Sequence, residues 1–245
     1  GSKKDYFLNH HPLPEFVPRA LWGELNLPEV EIEIPPARNN ENSEIKNLPI
    51  LQAIREHAPG RVTRRFAPQR GHLSHWIRVE MTDGDQDMRI DEYAQKSEMI
   101  GKFSAILEDG SDEMTLPVYR PWKFVLSVAQ RNTVLPTSNS FPIWSSELLP
   151  IGDSFSIKRH PKSSWFKYAS DVHFHMHSFR SSVAVRRFSH KSEAFLRQKG
   201  GDEISKMIRY VDAEGKGAAI GFEMEVDGFY VDFDLPKKEV LESLN

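Results

Sequence analysis

Three histidines alternate with three apolar residues in the C-terminal half of the chain, in the order Val-His-Phe-His-Met-His. Because successive side chains of a strand point to opposite faces, this spacing predicts a strand with one apolar face and one histidine face. Imidazoles on one side of a strand suit zinc, and a carboxylate from Asp171, Glu223 or Asp232 would add a ligand to a hydrolytic site. The alternative is a mildly cationic surface that meets phosphate. The candidate metal ligands of a hydrolase or nuclease are His173, His175 and His177.

The same histidines lie inside a basic segment, Lys158 to Lys199, which holds ten Lys or Arg residues and seven aromatic residues. Cations beside apolar rings are what a phosphate backbone with stackable bases requires of a protein. Arginine, which forks onto phosphate and stacks on bases, is well represented. The alternative is that the rings form core and the cations a solvated rim. The candidate nucleic-acid contacts in this segment are Arg159, Lys162, Trp165, Lys167, Arg180, Arg186 and Arg187.

The formal net charge of −3 conceals charge segregation along the chain. Residues from Leu51 to Glu80 include six arginines and two acids, and three of those arginines follow one another closely. The stretch from Asp83 to Glu113 has ten acids and three cations, and Asp202 to Asp234 has nine acids and three cations. A near-neutral total therefore does not exclude a nucleic-acid surface. The further candidate contacts in the arginine-rich stretch are Arg61, Arg64 and Arg65.

The amino-acid composition indicates the fold class of the protein. A chain of 245 residues with 39% hydrophobic residues can bury a substantial core, while 16 Pro and 14 Gly favour many short elements. The prediction is an α+β protein, β-rich, with antiparallel hairpins and a few short helices. The absence of cysteine excludes disulfides and suits a reducing compartment. No apolar run is long enough to span a membrane and no signal-peptide pattern is present, so we expect a cytoplasmic protein with no membrane partner.

The N-terminal elements are predicted as follows. Residues 1–47 form an extended segment rich in Pro and Asn, in which Leu27 to Pro35 is a short edge strand. Residues 48–150 form an N-terminal α+β half. It starts with a helix from Leu48 to His57 capped by Asn47 and continues with strands over 61–66 and 75–80. The turn-rich stretch from Asn132 to Pro150 is predicted to separate this half from the next.

Residues 151–245 are predicted to form a β-rich, basic C-terminal half that ends in an acidic hairpin. Ser192 to Lys199 is predicted to be a helix, and Glu203 to Val211 a strand. Asp-Gly at 227–228, between alternating stretches that are predicted to be strands at 220–226 and 229–235, predicts a two-residue hairpin turn. That register would place Glu223 opposite Asp232, and because like charges across a ladder repel, it predicts a cation nearby. A solvated acidic face is the alternative.

Motifs for other chemistry are absent from the sequence. There is no G-x-S-x-G nucleophile elbow, no P-loop and no strand-linked G-x-G-x-x-G. The sequence therefore does not predict a complete ATPase within this chain, and no cofactor is predicted.

Two segments carry a resemblance: Ala-Pro-Gly-Arg-Val-Thr-Arg-Arg-Phe at 58–66, and Ala-Ala-Ile-Gly-Phe-Glu-Met-Glu-Val-Asp-Gly at 218–228. They resemble the region beyond the motor core in large bacterial superfamily-2 helicase-like proteins of anti-phage defence, of the Druantia or DISARM kind. The resemblance implies an accessory region that helps its parent protein hold DNA, with ATP hydrolysis performed elsewhere.

Together these observations predict a non-catalytic nucleic-acid-binding accessory domain, with DNA favoured over RNA, whose partners include the rest of a parent helicase-like protein or a defence-system subunit. Two alternatives stay open: the metal-dependent hydrolase or nuclease, and a protein-docking module that uses the charge-segregated surface.

Overall fold

The computed structural model describes residues 28–37, 42–67, 73–106, 113–157 and 169–233. Within these ranges the chain forms fourteen strands and two short α-helices, and no helix there has the length and apolar character needed to cross a membrane. The helices are α1 (Ile50–Glu56) and α2 (Ile90–Tyr93). The strands are β1 (Glu29–Ile34), β2 (Glu44–Pro49), β3 (His75–Trp76), β4 (Gln86–Arg89), β5 (Lys96–Ile106), β6 (Glu113–Val125), β7 (Ser127–Val128), β8 (Asn139–Ile151), β9 (Phe155–Ile157), β10 (Ala169–His175), β11 (Ser182–Arg197), β12 (Glu203–Val211), β13 (Ala219–Val226) and β14 (Gly228–Phe233).

Nine of the strands in the described ranges form one mixed sheet, the large sheet. Its order is β2-β1-β6-β13-β11-β12-β4, with β5 also paired to β6 and β8 also paired to β11. The pairs β1/β6, β6/β13 and β4/β12 are parallel, whereas the other pairs are antiparallel. The predicted β-rich fold with few short helices is thus confirmed, and it includes antiparallel pairs such as β5/β6.

The main core covers one face of the large sheet, and β1 shows how the sequence specifies it. Val30, Ile32 and Ile34 are fully buried, while the glutamates between them face outward. This alternation was expected to form an edge strand, but β1 lies between β2 and β6. Charged residues on the outer face are compatible with an interior strand because that face is not part of the core.

The segment around α1 differs from the expectation in two ways. The helix begins at Ile50, because Asn47 belongs to β2 and makes no helix cap; Pro49 holds the N-cap position. Residues 61–66 form no strand, and only a single bridge joins Thr63 to His75. The second predicted strand is reduced to β3, which pairs with β7 in a two-stranded ribbon.

The long strand β11 corrects two further expectations. Ser192, Ala194 and Leu196 are buried at every second position, so the predicted helix at 192–199 is wrong and the segment is strand. Its partner β8 occupies most of the stretch that was expected to be a turn-rich boundary. The prolines of β8 are tolerated because, among the described strands, β8 pairs only with β11 and so lies at an edge.

The predicted acidic hairpin at the C-terminal end is wrong. Strand β13 pairs with β11 and β6, and β14 pairs with β10, so Glu223 lies opposite Arg186 and not opposite Asp232. A type I′ turn needs positive φ at both central residues, and Gly228 does not have it. The carboxylate of Asp227 instead accepts hydrogen bonds from His177. The chain therefore passes directly from the large sheet into a second sheet.

That second sheet, the small sheet, has the order β14-β10-β9 and is antiparallel throughout. The chain connects the two sheets three times: β8 of the large sheet leads into β9, β10 leads back into β11, and β13 leads into β14. The large sheet contains strands from both sides of residue 150. The division of the chain at that residue stays a prediction.

Candidate functional site

The small sheet presents two chemically different faces, as the alternating histidines predicted. In β10, Phe174 points to one face and lies opposite Phe229 of β14 and Phe155 of β9. His173 points to the other face and lies opposite Tyr230. Each face therefore continues across the paired strands.

Phenylalanines dominate the first face, here called the phenylalanine face and defined as Phe155, Phe174, Phe179 and Phe229. The rings of Phe155 and Phe179 stack with 5.6 Å between centroids and 8° between planes. Those of Phe174 and Phe229 lie 5.8 Å apart. Phe155, Phe179 and Phe229 are 51%, 60% and 67% exposed, although large apolar side chains normally avoid water. A group of exposed rings on one sheet face is typical of a binding surface.

The opposite face, here called the histidine face, consists of His173, His175, Tyr230, Asp232 and the neighbouring Ser154. It is polar and internally hydrogen-bonded. His173 makes two contacts: its Nδ1 is 3.0 Å from Ser154 Oγ, and its Nε2 is 3.2 Å from Asp232 Oδ2. Its ring stacks on Tyr230 with 4.6 Å between centroids. The neighbouring His175 is buried, and its Nδ1 is 2.7 Å from Ser181 Oγ.

His177 leaves the strand and belongs to a 3₁₀ turn, His177–Phe179. Its backbone N–H donates to Asp227 Oδ1 at 2.8 Å, and its Nδ1 lies 2.8 Å from the same oxygen. The backbone hydrogen bond is the main reason why the pKa of Asp227 is lowered. The three histidines thus have three different partners, and the described residues contain no group of three or more His, Asp or Glu arranged to hold a metal. No shared metal is needed to explain the histidine strand.

Arg186, a predicted nucleic-acid contact, lies between two glutamates of the large sheet. Its Nη1 is 3.2 Å from Glu147 of β8, and its Nε donates to Glu223 of β13. The hydrogen bond to Glu223 is the main reason why the pKa of Arg186 is raised. The guanidinium also lies over the ring of Phe103, 4.5 Å from its centroid. The cation expected near Glu223 is therefore present, and its charge is already neutralised within the sheet.

The remaining predicted cations are distributed over several places. Arg187 lies on the opposite face of β11, with its guanidinium 4.9 Å from the ring centroid of Trp144. Arg180 is exposed and follows the last residue of the 3₁₀ turn. In the segment after α1, Arg61 donates to the carbonyl of residue 55, Arg65 forms an ion pair with residue 56 at 2.8 Å, and Arg64 is exposed. Four predicted contacts lie outside the described residues: Arg159, Lys162, Trp165 and Lys167.

The glutamates around Arg186 lead to a stability prediction. Arg186→Met keeps the apolar stem but leaves Glu147 and Glu223 close together without a counter-charge. We expect the free energy of unfolding to fall by about 2 kcal/mol, since charge-assisted hydrogen bonds at a half-buried position are lost. Urea denaturation at neutral pH measures the change.

Arg197 supplies the matched control, because it lies on the same strand and pairs with a glutamate of the adjacent strand, Glu203, at an exposed position. Arg197→Met should change the free energy of unfolding by no more than about 0.5 kcal/mol. Equal losses in the two variants would contradict a special role for Arg186.

Sequence reasoning missed several residues that the structure brings to the small sheet. Phe155 and Phe229 lie in short stretches whose partners are far away in sequence, and Ser154 has no surrounding motif. The alternation of apolar and polar residues in Gly228–Phe233 could have indicated a second strand with an aromatic face. What was missing was the pairing of that strand with β10.

In comparisons with protein-family models, with curated proteins and with solved structures, nothing matches this chain. The geometry of the small sheet is therefore the main basis for a functional proposal.

Proposed function

We propose that the chain is a nucleic-acid-binding accessory module that holds an unpaired strand by stacking bases on the phenylalanine face. The observation that carries this proposal is the exposure of Phe155, Phe179 and Phe229 on one side of the small sheet. Every base has a flat π-face, so exposed rings bind single strands with little dependence on sequence. Sheets with exposed aromatic residues serve this purpose in RNA- and DNA-binding modules.

The charges near the small sheet support contact with phosphate. Arg180 is exposed and directly follows Phe179 in the chain. Its backbone adopts the left-handed conformation, with φ of 57°. The sequence between β9 and β10, residues 158–168, contains four cations and three aromatic residues: Lys158, Arg159, Lys162, Lys167, Trp165, Phe166 and Tyr168. Cations next to stacking rings favour a polyanion over an uncharged partner.

The accessory role belongs to the same proposal and rests on the resemblance of residues 58–66 and 218–228 to helicase-like defence proteins. In this proposal the module acts in the cytoplasm, holds DNA for a parent protein or partner subunit, and leaves ATP hydrolysis to that partner. Arg64, which is exposed, and its neighbours Arg61 and Arg65 would provide a second contact to the phosphate backbone.

Removing exposed rings tests the stacking surface. Phe229→Ala and Phe155→Ala should each weaken binding of a fluorescently labelled single strand by about ten-fold, because stacking contributes roughly 1–3 kcal/mol per base. Fluorescence anisotropy with single- and double-stranded DNA and RNA, at about 50 mM and about 200 mM salt, measures the affinity and its salt dependence. We expect single strands to bind more tightly than duplexes of the same sequence.

Two further variants serve as controls. Leu148→Ala removes another exposed apolar side chain, 65% exposed and located on β8, and should leave the affinity unchanged. Arg180→Ala should weaken binding similarly for all sequences. It should also reduce the slope of log affinity against log salt concentration by about one. Absence of binding to every labelled strand at low salt would overturn the proposal, and so would equal losses in Leu148→Ala and Phe229→Ala. Partner capture without nucleic-acid binding would instead identify the phenylalanine face as a protein-docking surface.

A further inference from the structure

The histidine face contains three side chains connected as a serine, a histidine and a carboxylate. Ser154 lies just before β9, His173 in β10 and Asp232 in β14, so each comes from a different part of the small sheet. The distances are 3.0 Å from Ser154 Oγ to His173 Nδ1 and 3.2 Å from His173 Nε2 to Asp232 Oδ2. A nucleophile next to a base that is oriented by a third group is the arrangement that activates a hydroxyl.

Ser154 and His173 form a hydrogen bond, whereas His173 and Asp232 form a close ion-pair contact. A carboxylate oxygen near a ring nitrogen attracts its N–H, so the contact with Asp232 favours the imidazole proton on Nε2. Nδ1 then has a free lone pair and can accept from the hydroxyl of Ser154. The histidine is thus in the tautomer that a general base for Ser154 requires.

The imidazole is held in place by its surroundings. His173 lies on the central strand of the small sheet, opposite Tyr230 and Ser156. The ring of Tyr230 stacks on it at 11° between planes, which restricts rotation of the imidazole. The side chain of His173 is only 21% exposed, whereas Ser154 is exposed and accessible to a substrate.

A second serine–histidine pair on this face has a different geometry. Ser181 Oγ contacts His175 Nδ1 at 2.7 Å, but its hydroxyl donates to the carbonyl of Ile151 at 3.1 Å. Both residues are buried. The proton of Ser181 is therefore directed away from His175, and this pair stabilises the sheet without activating a nucleophile.

We propose that Ser154 is a nucleophile activated by His173 and oriented through Asp232, and that it accepts acyl groups from esters. Ser154 Oγ forms a bond to the ester carbonyl carbon while its proton moves to His173 Nδ1. The imidazolium, stabilised by Asp232, gives that proton to the departing alkoxide as the ester C–O bond breaks. Water, deprotonated by the same histidine, then attacks the acyl carbonyl carbon. The bond from that carbon to Ser154 Oγ breaks, the imidazolium returns its proton to Oγ, and the carboxylic acid leaves.

The test uses the full chain and a fluorophosphonate probe, which labels activated serines. Peptide mass spectrometry should find the probe on Ser154, and Ser154→Ala should abolish that labelling. His173→Gln should slow labelling at least about ten-fold, in line with the loss of a general base. Asp232→Asn should slow it too, because the imidazole then loses the carboxylate that orients it. p-Nitrophenyl acetate should release p-nitrophenolate with a burst of up to one equivalent per chain.

Ser156 and Ser181 are internal controls. Ser156 is exposed and lies opposite His173 in the ladder, so it tests whether proximity to the histidine is enough, and the hydroxyl of Ser181 donates to Ile151. Labelling of Ser154 no faster than of Ser156, or wild-type labelling in His173→Gln, would overturn the proposal. Ser154→Ala should keep wild-type affinity for a labelled single strand, since Ser154 is not part of the phenylalanine face. The failure of one proposal is thus distinguishable from the failure of the other.

Discussion

Gly221→Ala should lower the free energy of unfolding by about 3 kcal/mol, because a methyl group at this position has no space. Gly221 lies on β13, opposite Phe188 of β11. A Cβ atom there would be 2.5 Å from the carbonyl oxygen of Arg187 and 2.6 Å from the Cβ of Phe188. Phe188 is fully buried and packs edge-on against Phe103 at 5.6 Å. The strands cannot separate without disturbing a second, smaller core, which consists of Phe103, Leu116, Val118, Phe188 and Ala219.

Chemical denaturation of the wild type and the variant at neutral pH measures the loss. Gly201→Ala is the matched control, because an added Cβ at Gly201 would approach no atom closer than 3.6 Å and the residue does not have positive φ. That variant should stay within about 0.5 kcal/mol of the wild type. Similar stabilities for the two alanine variants would show that β11 and β13 can move apart at little cost.

Local sequence patterns predicted individual strands well. The strand expected at 203–211 is β12 with the same bounds, and the expected strand at 220–226 is β13 with one more residue. Alternation is a property of the strand itself, so it can be recognised without knowing the partner. The two faces of β10 were predicted on the same basis and are confirmed for His173 and His175, whereas His177 lies beyond the strand.

Pairing, by contrast, depends on residues that are distant in sequence. Strand β13 has the alternation of a hairpin partner for β14, but Arg186 on β11 neutralises Glu223, and Asp227 binds His177. These interactions replace the turn that Asp-Gly normally favours. The segment 192–197 shows the same effect, since pairing with β8 and β12 on either side outweighs its good helix propensity.

The candidate site was predictable only in part for the same reason. The histidine strand was evident from its spacing, but the rings of Phe155 and Phe229 join Phe174 only through strand pairing. The basic residues of one segment need not lie on one surface of the protein, because position in the sequence does not determine which way a side chain points. Arg186 and Arg187 are adjacent in sequence, yet they face opposite sides of β11 because a strand alternates.

His57 should make the protein markedly less stable in acid. It is fully buried, with its ring stacked on Phe66 at 6.1 Å and edge-on to Phe124 at 6.4 Å. Burial, followed by the positive charges of Arg65 and Arg61, lowers its pKa from 6.5 to about 3. At neutral pH the imidazole is uncharged in the folded and the unfolded chain. Below the unfolded pKa only the unfolded chain takes up the proton, so stability falls as the pH decreases towards about 3.

Protonation of His57 in the unfolded chain should lower the free energy of unfolding by about 3 kcal/mol between pH 7 and pH 4. His57→Leu, which has no proton to take up, should show a loss smaller by that amount in urea denaturation across the same range. His177→Leu is the control, since the side chain of His177 is 56% exposed, and it should keep the steep acid dependence. If His57→Leu lost stability in acid as steeply as the wild type, a buried neutral histidine would not be the cause. The acid sensitivity would then come from other groups such as Asp227, whose pKa is lowered mainly by the backbone hydrogen bond from His177.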